Sequence, residues 1–211
     1  MKSNTIAVIG GTGKSGRFLV QKLIKEGYPV KLLLRNPDFF TLAHPLIETI
    51  QGDARDFNSI NRLVKGCRAV ISTLGQPKGE RSIFSDAAHN IIGAMNLNQV
   101  KRYIATTGLS VNTPFDVKSE RVSMATDWMY QNYTETTQDK QKEYELLSES
   151  NLDWTLVRLP LIRLTEQHFK TETNLEDCKG EGIGAADLAE FLVSQIEEKD
   201  FIKQSPFLYN L

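Results

Sequence analysis

Residues 6–16 read Ile-Ala-Val-Ile-Gly-Gly-Thr-Gly-Lys-Ser-Gly. An apolar β-type run ends in a glycine-rich turn, and a helical pattern follows at once, with Phe18, Leu19, Leu23 and Ile24 on one face. Strand, turn and helix in that order build a loop that wraps a dinucleotide pyrophosphate. The glycines permit the tight turn, the approach of backbone to phosphate and the close packing of helix on strand, while the helix N-terminus offers N–H groups to the anion. Two spacings fit: Gly11, Gly13 and Gly16 satisfy G-x-G-x-x-G, and Gly10, Gly13 and Gly16 satisfy G-x-x-G-x-x-G. Gly13-Lys14-Ser15 also looks like the end of a nucleotide-triphosphatase loop, but that loop needs a glycine five residues before Gly13, where Val8 stands. The phosphate-hydrolysing reading is rejected. Gly10, Thr12, Gly13, Lys14, Ser15 and Gly16 are the candidate pyrophosphate contacts.

Outward from this turn the chain keeps alternating. The strand before it is Thr5–Ile9, and the helix after it is expected over Lys14–Glu26, ending at Gly27. Val30–Leu34, apolar except for Lys31, reads as a strand buried on both faces. Further strands are predicted at Ile47–Gln51, Ala69–Thr73, Tyr103–Thr106, Trp154–Arg158 and Phe207–Tyr209, and helices at Asp56–Lys65, Ile83–Leu97, Asp139–Ser150 and Ala185–Ile196. Such alternation predicts an α/β fold, a Rossmann-like doubly wound parallel sheet with helices on both faces. Right-handed crossovers bring the loops beginning at Gly10, Arg35, Gly52, Leu74, Thr106 and Leu159 to one carboxyl edge, where they converge on one crevice. Periodicity is poor over 111–137 and 161–182. Both segments follow late strands and read either as covers for a substrate or as irregular surface.

Residues 1–211 read as one dinucleotide-binding domain. A formal net charge of −1 gives no broad attraction to nucleic acid or to a membrane surface. No apolar run approaches the roughly 20 residues that span a bilayer, and no signal-peptide pattern precedes the first strand. Cys67 and Cys178 stand far apart without C-x-x-C spacing, so the expectation is a reducing cytoplasm and no structural disulfide. His44, His89 and His168 are dispersed, and no metal is assigned. Monomer and homodimer both remain open.

Strand Val30–Leu34 leads into Arg35. An NAD site carries an acid about 20 residues past the glycine turn to bond the ribose hydroxyls. Arg35 has the wrong charge for that job and the right one for a 2′-phosphate, so NADP(H) is the expected cofactor, with Lys14 and Arg17 able to add to the positive pocket. Asp53, beside Ala54 after the third strand, can accept from the adenine amino group, and Asp56 is placed to cap the next helix. Leu74 and Gly75 follow the fourth strand, where a small residue admits the cofactor ribose. Thr106 and Thr107 follow the fifth, near the expected nicotinamide.

Matching pieces of a known family run nearly end to end: Ile6–Gly16, Val30–Arg35, Gly52–Asp53, Ala69–Gly75, Val100–Thr107, Leu147–Pro160 and Ile183–Ala189 with its Ala186-Asp187-Leu188-Ala189. In this order they resemble the atypical short-chain dehydrogenase/reductase group that includes biliverdin-IXβ reductase/flavin reductase and bacterial NADH-flavin reductases and shades into the NmrA-like proteins. The resemblance implies a Rossmann-like fold, NADP(H) along the crevice and reduction of flavins or tetrapyrroles. Pro160, after the sixth strand, is counted with the cofactor-binding residues. Departures are specific. If Lys140 is the lysine of a Tyr-x-x-x-Lys pair, Thr136 holds the tyrosine position. Gly108 stands where biliverdin-IXβ reductase has a serine, and Leu161 where it has a histidine. Lys140 reads either as a ligand of the nicotinamide ribose or as a solvated lysine in the run Asp139–Lys142, and Thr107 and Lys140 are the candidate catalytic pair.

Missing that tyrosine has chemical meaning. Reducing a carbonyl creates an alkoxide that needs a nearby donor, whereas a flavin or quinone spreads the incoming charge over its own π system. The first reading is therefore an NADP(H)-dependent reductase of a planar small-molecule acceptor. The second is a nonenzymatic NADP(H)-binding redox sensor. A nucleotide-sugar epimerase is disfavoured by Thr136 and by the short chain. Tyr130 or Tyr133 could still supply a phenol, and Trp128, Met129 and Tyr130 read as core or as a platform for a planar ring, with core preferred.

Overall fold

The computed structural model describes residues 4–211, and the alternation of the sequence becomes alternation in space. Strands β1 (Ile6–Ile9), β2 (Val30–Leu34), β3 (Ile47–Gln51), β4 (Ala69–Ser72), β5 (Arg102–Gly108) and β6 (Asp153–Leu159) pair in parallel in the order β3-β2-β1-β4-β5-β6. The sheet is extended by β10 (Phe207–Asn210), parallel to β6, and by β8 (Thr171–Asn174), antiparallel to β10. This is the Rossmann-like doubly wound sheet with an antiparallel edge strand added.

Within β1 successive side chains point to opposite faces, and the helices cover both. Ile6 and Val8 pack with Leu19 and Leu23 of α1 (Gly16–Lys25) and Leu188 and Leu192 of α6 (Ala185–Ser194). Ala7 and Ile9 pack against α2 (Phe57–Val64), α3 (Phe84–Leu97) and α5 (Thr134–Glu149) through Ile60, Leu63, Ile91, Met95 and Leu147. The Asp56 carboxylate accepts from the N–H groups of Asn58 and Ser59, so it caps α2 as expected. Burying both faces of the strands leaves the crevice at their carboxyl ends as the natural opening.

The later half of the chain departs from the expected elements. β5 runs on to Gly108, so Thr106 and Thr107 close a strand instead of opening a loop. Segment 111–137 holds a further helix, α4 (Glu120–Asn132), and α5 begins at Thr134, ahead of Asp139. Helix α4 buries only Val122 and Thr126, so little apolar periodicity was available to mark it. Segment 161–182 holds β7 (Leu161–Arg163) and β8, and β7 pairs with β9 (Gly182–Gly184). Trp128 is exposed, with its ring edge against Tyr133 at 5.6 Å between centroids, which overturns the core reading for that side chain. No helix among the described residues is long and apolar enough to cross a membrane.

A candidate dinucleotide cleft

The carboxyl ends of β1, β2, β3 and β4 open on a cleft of about 740 Å³. Ten of the residues singled out from the sequence line it: Gly10, Thr12, Gly13, Lys14, Ser15, Arg35, Asp53, Ala54, Leu74 and Gly75. Gly10 has φ +78°, and a Cβ there would stand 2.6 Å from the Thr73 carbonyl oxygen. A Cβ on Gly16 would stand 2.1 Å from the Gly10 carbonyl oxygen, so no side chain fits where the helix meets the turn. Gly11 instead faces Leu32 in the core, which selects Gly10, Gly13 and Gly16 as the cradle.

The turn is closed by the Gly13 N–H donating to the Gly10 carbonyl at 2.9 Å. Among the described residues the N–H groups of Lys14, Ser15 and Gly16 have no hydrogen-bond partner, and the Ser15 side chain makes no cap bond. Unpaired donors at a helix N-terminus behind a glycine cradle fit a pyrophosphate. Arg17 lies outside this lining, whereas Lys14 belongs to it. Asp53 keeps its turn with one oxygen, Oδ1, which accepts from the Arg55 N–H at 2.8 Å.

Further along the strand ends lies a second group that does not line this cleft: Thr106, Thr107, Lys140 and Pro160. The Thr107 hydroxyl is buried without a partner, and so is that of Ser110, two residues past Gly108. A Cβ on Gly108 would lie 3.6 Å from both the Lys140 Nζ and the Ser110 Oγ. Lys140 is therefore turned inward, with its ammonium 4.8 Å from the centre of the Phe84 ring, and is no member of a solvated run. Burial pushes the Lys140 pKa below the usual lysine range, against the opposing pull of Glu143. Burial likewise drives the Glu143 carboxyl up to about 8, with Lys140 opposing, and its Oε2 has no partner. Ser110 and Glu143 were missed in the sequence. Spacing held a signal for Glu143, since three residues past Lys140 share its helix face. Nothing local marked Ser110.

Segments beyond β5 and β6 are organised by the fully buried Arg158, beside which the Lys118 ammonium donates to the Val111 carbonyl at 3.2 Å and pairs with Asp116 Oδ2 at 3.5 Å. The Arg158 guanidinium donates to Asp116 Oδ1 at 2.5 Å and to the carbonyls of Val111, Leu175 and Ser205, and it stacks 3.6 Å from the Phe207 ring centre. Asp139 ties α5 to the β4–α3 loop: its Oδ2 accepts from the Ser82 hydroxyl and from the N–H groups of Phe84 and Ser85. Burial raises the Asp139 pKa, but those hydrogen bonds outweigh it and leave the carboxyl below its usual range.

A family model described as NAD(P)H-binding matches residues 10–199. The chain belongs to that NAD(P)H-binding family. Among curated relatives, eugenol synthase 2 of Clarkia breweri is 37% identical over 82 residues, 33% of this chain and 26% of that protein. Isoflavone reductase homolog A622-like of Nicotiana tabacum is 30% identical over 115 residues, 49% of this chain and 34% of that protein. The matches thus span well under half of these relatives. Solved structures of the family's fold superpose along the whole chain. A short-chain dehydrogenase/reductase of Veillonella parvula in complex with NADP gives a TM-score of 0.81 at 15% identity, covering 98% of this chain and 94% of that one. ChuY, an anaerobilin reductase of Escherichia coli O157:H7, gives 0.78 at 21%, covering 98% and 97%. At these identities the likeness establishes the fold.

Proposed function

We infer that this chain is an NADP(H)-dependent reductase passing hydride to a planar, conjugated small molecule such as a flavin or quinone, in the cytoplasm. The observation that carries this reading is the pairing of the glycine cradle and Arg35 with unpartnered hydroxyls and an inward lysine at the end of β5. Reductases among the relatives and neighbours support the reaction class. When bound, the nicotinamide supplies the hydride. The amides of Lys14, Ser15 and Gly16 would bind the pyrophosphate, and Lys14 adds a positive charge. Arg35 would take the 2′-phosphate, and the free oxygen of Asp53 the adenine amino group. Thr107, Ser110 and Lys140 supply polar groups at the far end, where Lys140, destabilised as a cation by burial, holds a proton that a reduced acceptor needs. A delocalised acceptor lowers the demand on such a donor, which suits a site with Thr136 in place of a tyrosine.

The test mixes the protein with NADPH and a panel of FMN, FAD, riboflavin, quinones and biliverdin and follows nicotinamide absorbance. Turnover well above the protein-free rate on a planar acceptor is expected. Tight NADPH binding without turnover on any acceptor would replace this reading by the redox sensor.

A further inference from the structure

The mouth of the cleft carries a contact that neither the glycine motif nor Arg35 alone explains. Glu80, on the loop between β4 and α3, bridges two arginines: its Oε1 accepts from Arg35 Nη1 at 2.8 Å and its Oε2 from Arg55 Nη1 at 2.9 Å. The arginines come from different strand ends, Arg35 after β2 and Arg55 after β3. Arg55 is fixed from behind, because its Nη2 donates to the Arg81 carbonyl and its side chain is only 18% exposed. Its Nε is buried with no partner. The loop itself is stapled by the Gln76 amide, which donates to the carbonyls of Pro77 and Glu80. The hydrogen bond from Arg35 is the first of the effects that hold the Glu80 carboxyl below its usual range, so it stays charged at neutral pH.

Two guanidinium groups converging on one carboxylate form an anion site that is filled by the chain's own acid. A phosphate monoester brings one more terminal oxygen and nearly twice the charge, so it makes more charge-assisted bonds to the same pair. A ribose hydroxyl brings no charge and cannot compete. Resting on the NADP(H) reading above, we propose that Arg35 and Arg55 together form the 2′-phosphate site and that Glu80 is its internal occupant, displaced by the 2′-phosphate of NADP(H) and left in place by NAD(H). Glu80 then sets cofactor choice by competition: it takes back part of the affinity that the arginines give to NADP(H) without touching that for NAD(H).

Calorimetric titration of the whole chain with NADPH and with NADH tests this without any turnover. Glu80→Gln is expected to tighten NADPH by about three- to tenfold, the scale of an exposed ion pair removed from competition, with NADH unchanged. Arg55→Gln is expected to loosen NADPH by about tenfold, again with NADH unchanged, which also reports that the variant is folded. In the double variant the gain from Glu80→Gln should shrink, because its competition acts through Arg55. An NADPH-to-NADH affinity ratio that Glu80→Gln leaves unmoved, or equal tightening of both dinucleotides, overturns the internal occupant alone. A wild-type protein that binds neither dinucleotide overturns the cofactor reading beneath it.

Discussion

At the glycine-turn end of the sheet, Gly10 and Gly16 let backbone lie against backbone, and Arg35, which lines the cleft, and its partner Glu80 remain about half exposed. At the far end the arrangement is reversed. Arg158 is completely buried, Glu143 is buried, Lys140 is half-buried with its ammonium against Phe84, and the segments that frame the end of β5 hang on their bonds to Arg158 and Asp139. Exposed pairs are weakly held and exchange partners with a ligand, whereas a buried cation fixes segments that little apolar surface would hold. The first end is open and held by exchangeable contacts, and the second is fixed in one particular geometry.

That contrast is broken most severely by Arg158→Met. The Leu175 and Ser205 carbonyls lose their donor, and Asp116 keeps only Thr113 and Lys118, so the variant is expected to lose about 3 kcal/mol of stability in urea unfolding. Arg35→Glu, at the exposed end, should leave the unfolding midpoint nearly unchanged while reversing the cofactor preference. Next in size is Lys140→Met. A fall of roughly a hundredfold in kcat with a planar acceptor is expected, about 2.7 kcal/mol in the barrier, with NADPH affinity measured by calorimetry much less affected. Equal loss of binding and rate would place Lys140 with the cofactor instead.

Glu143 and Asp139 sharpen the comparison through pH. The Glu143 carboxyl sits near 8 in the folded chain against an ordinary 4.5, so the folded state holds its proton longer than the unfolded chain. Its contribution is therefore intact at acid pH and declines as pH rises between those values. Glu143→Gln should remove that slope and gain about 1–3 kcal/mol over the wild type at pH 8 relative to pH 5. The sign is opposite for Asp139, whose pKa is depressed: its stabilisation is present at neutral pH and is lost as pH falls through the folded value. Asp139→Ala is expected to cost about 1 kcal/mol, or roughly 2–4 °C in thermal midpoint for a chain of this size, with the deficit vanishing in acid.

Much of the glycine-turn end was legible in the chain itself. The bounds of the buried β2 agree with the sequence reading, as do those of the exposed edge strand β3, and ten named residues line one cleft, because a buried parallel strand such as β2 and a tight turn each impose local composition. The far end was less legible. α4 went unseen because it buries two side chains, and β8 because its alternation is polar. Trp128 looked like core from its chemistry, yet burial depends on what packs over a residue and not on its own side chain.

The sequence by itself determined a dinucleotide turn, a doubly wound sheet and a positive charge where an NAD site has an acid. These rest on short-range rules, since glycine geometry, strand periodicity and strand-end position are all written within a few residues. Only the tertiary structure decided that Gly11 faces the core, that Lys140 and Ser110 border Gly108, and that Glu80 spans Arg35 and Arg55. Those contacts join residues far apart in the chain, and the register of a sheet and the packing of helices on it must be complete before such side chains can meet.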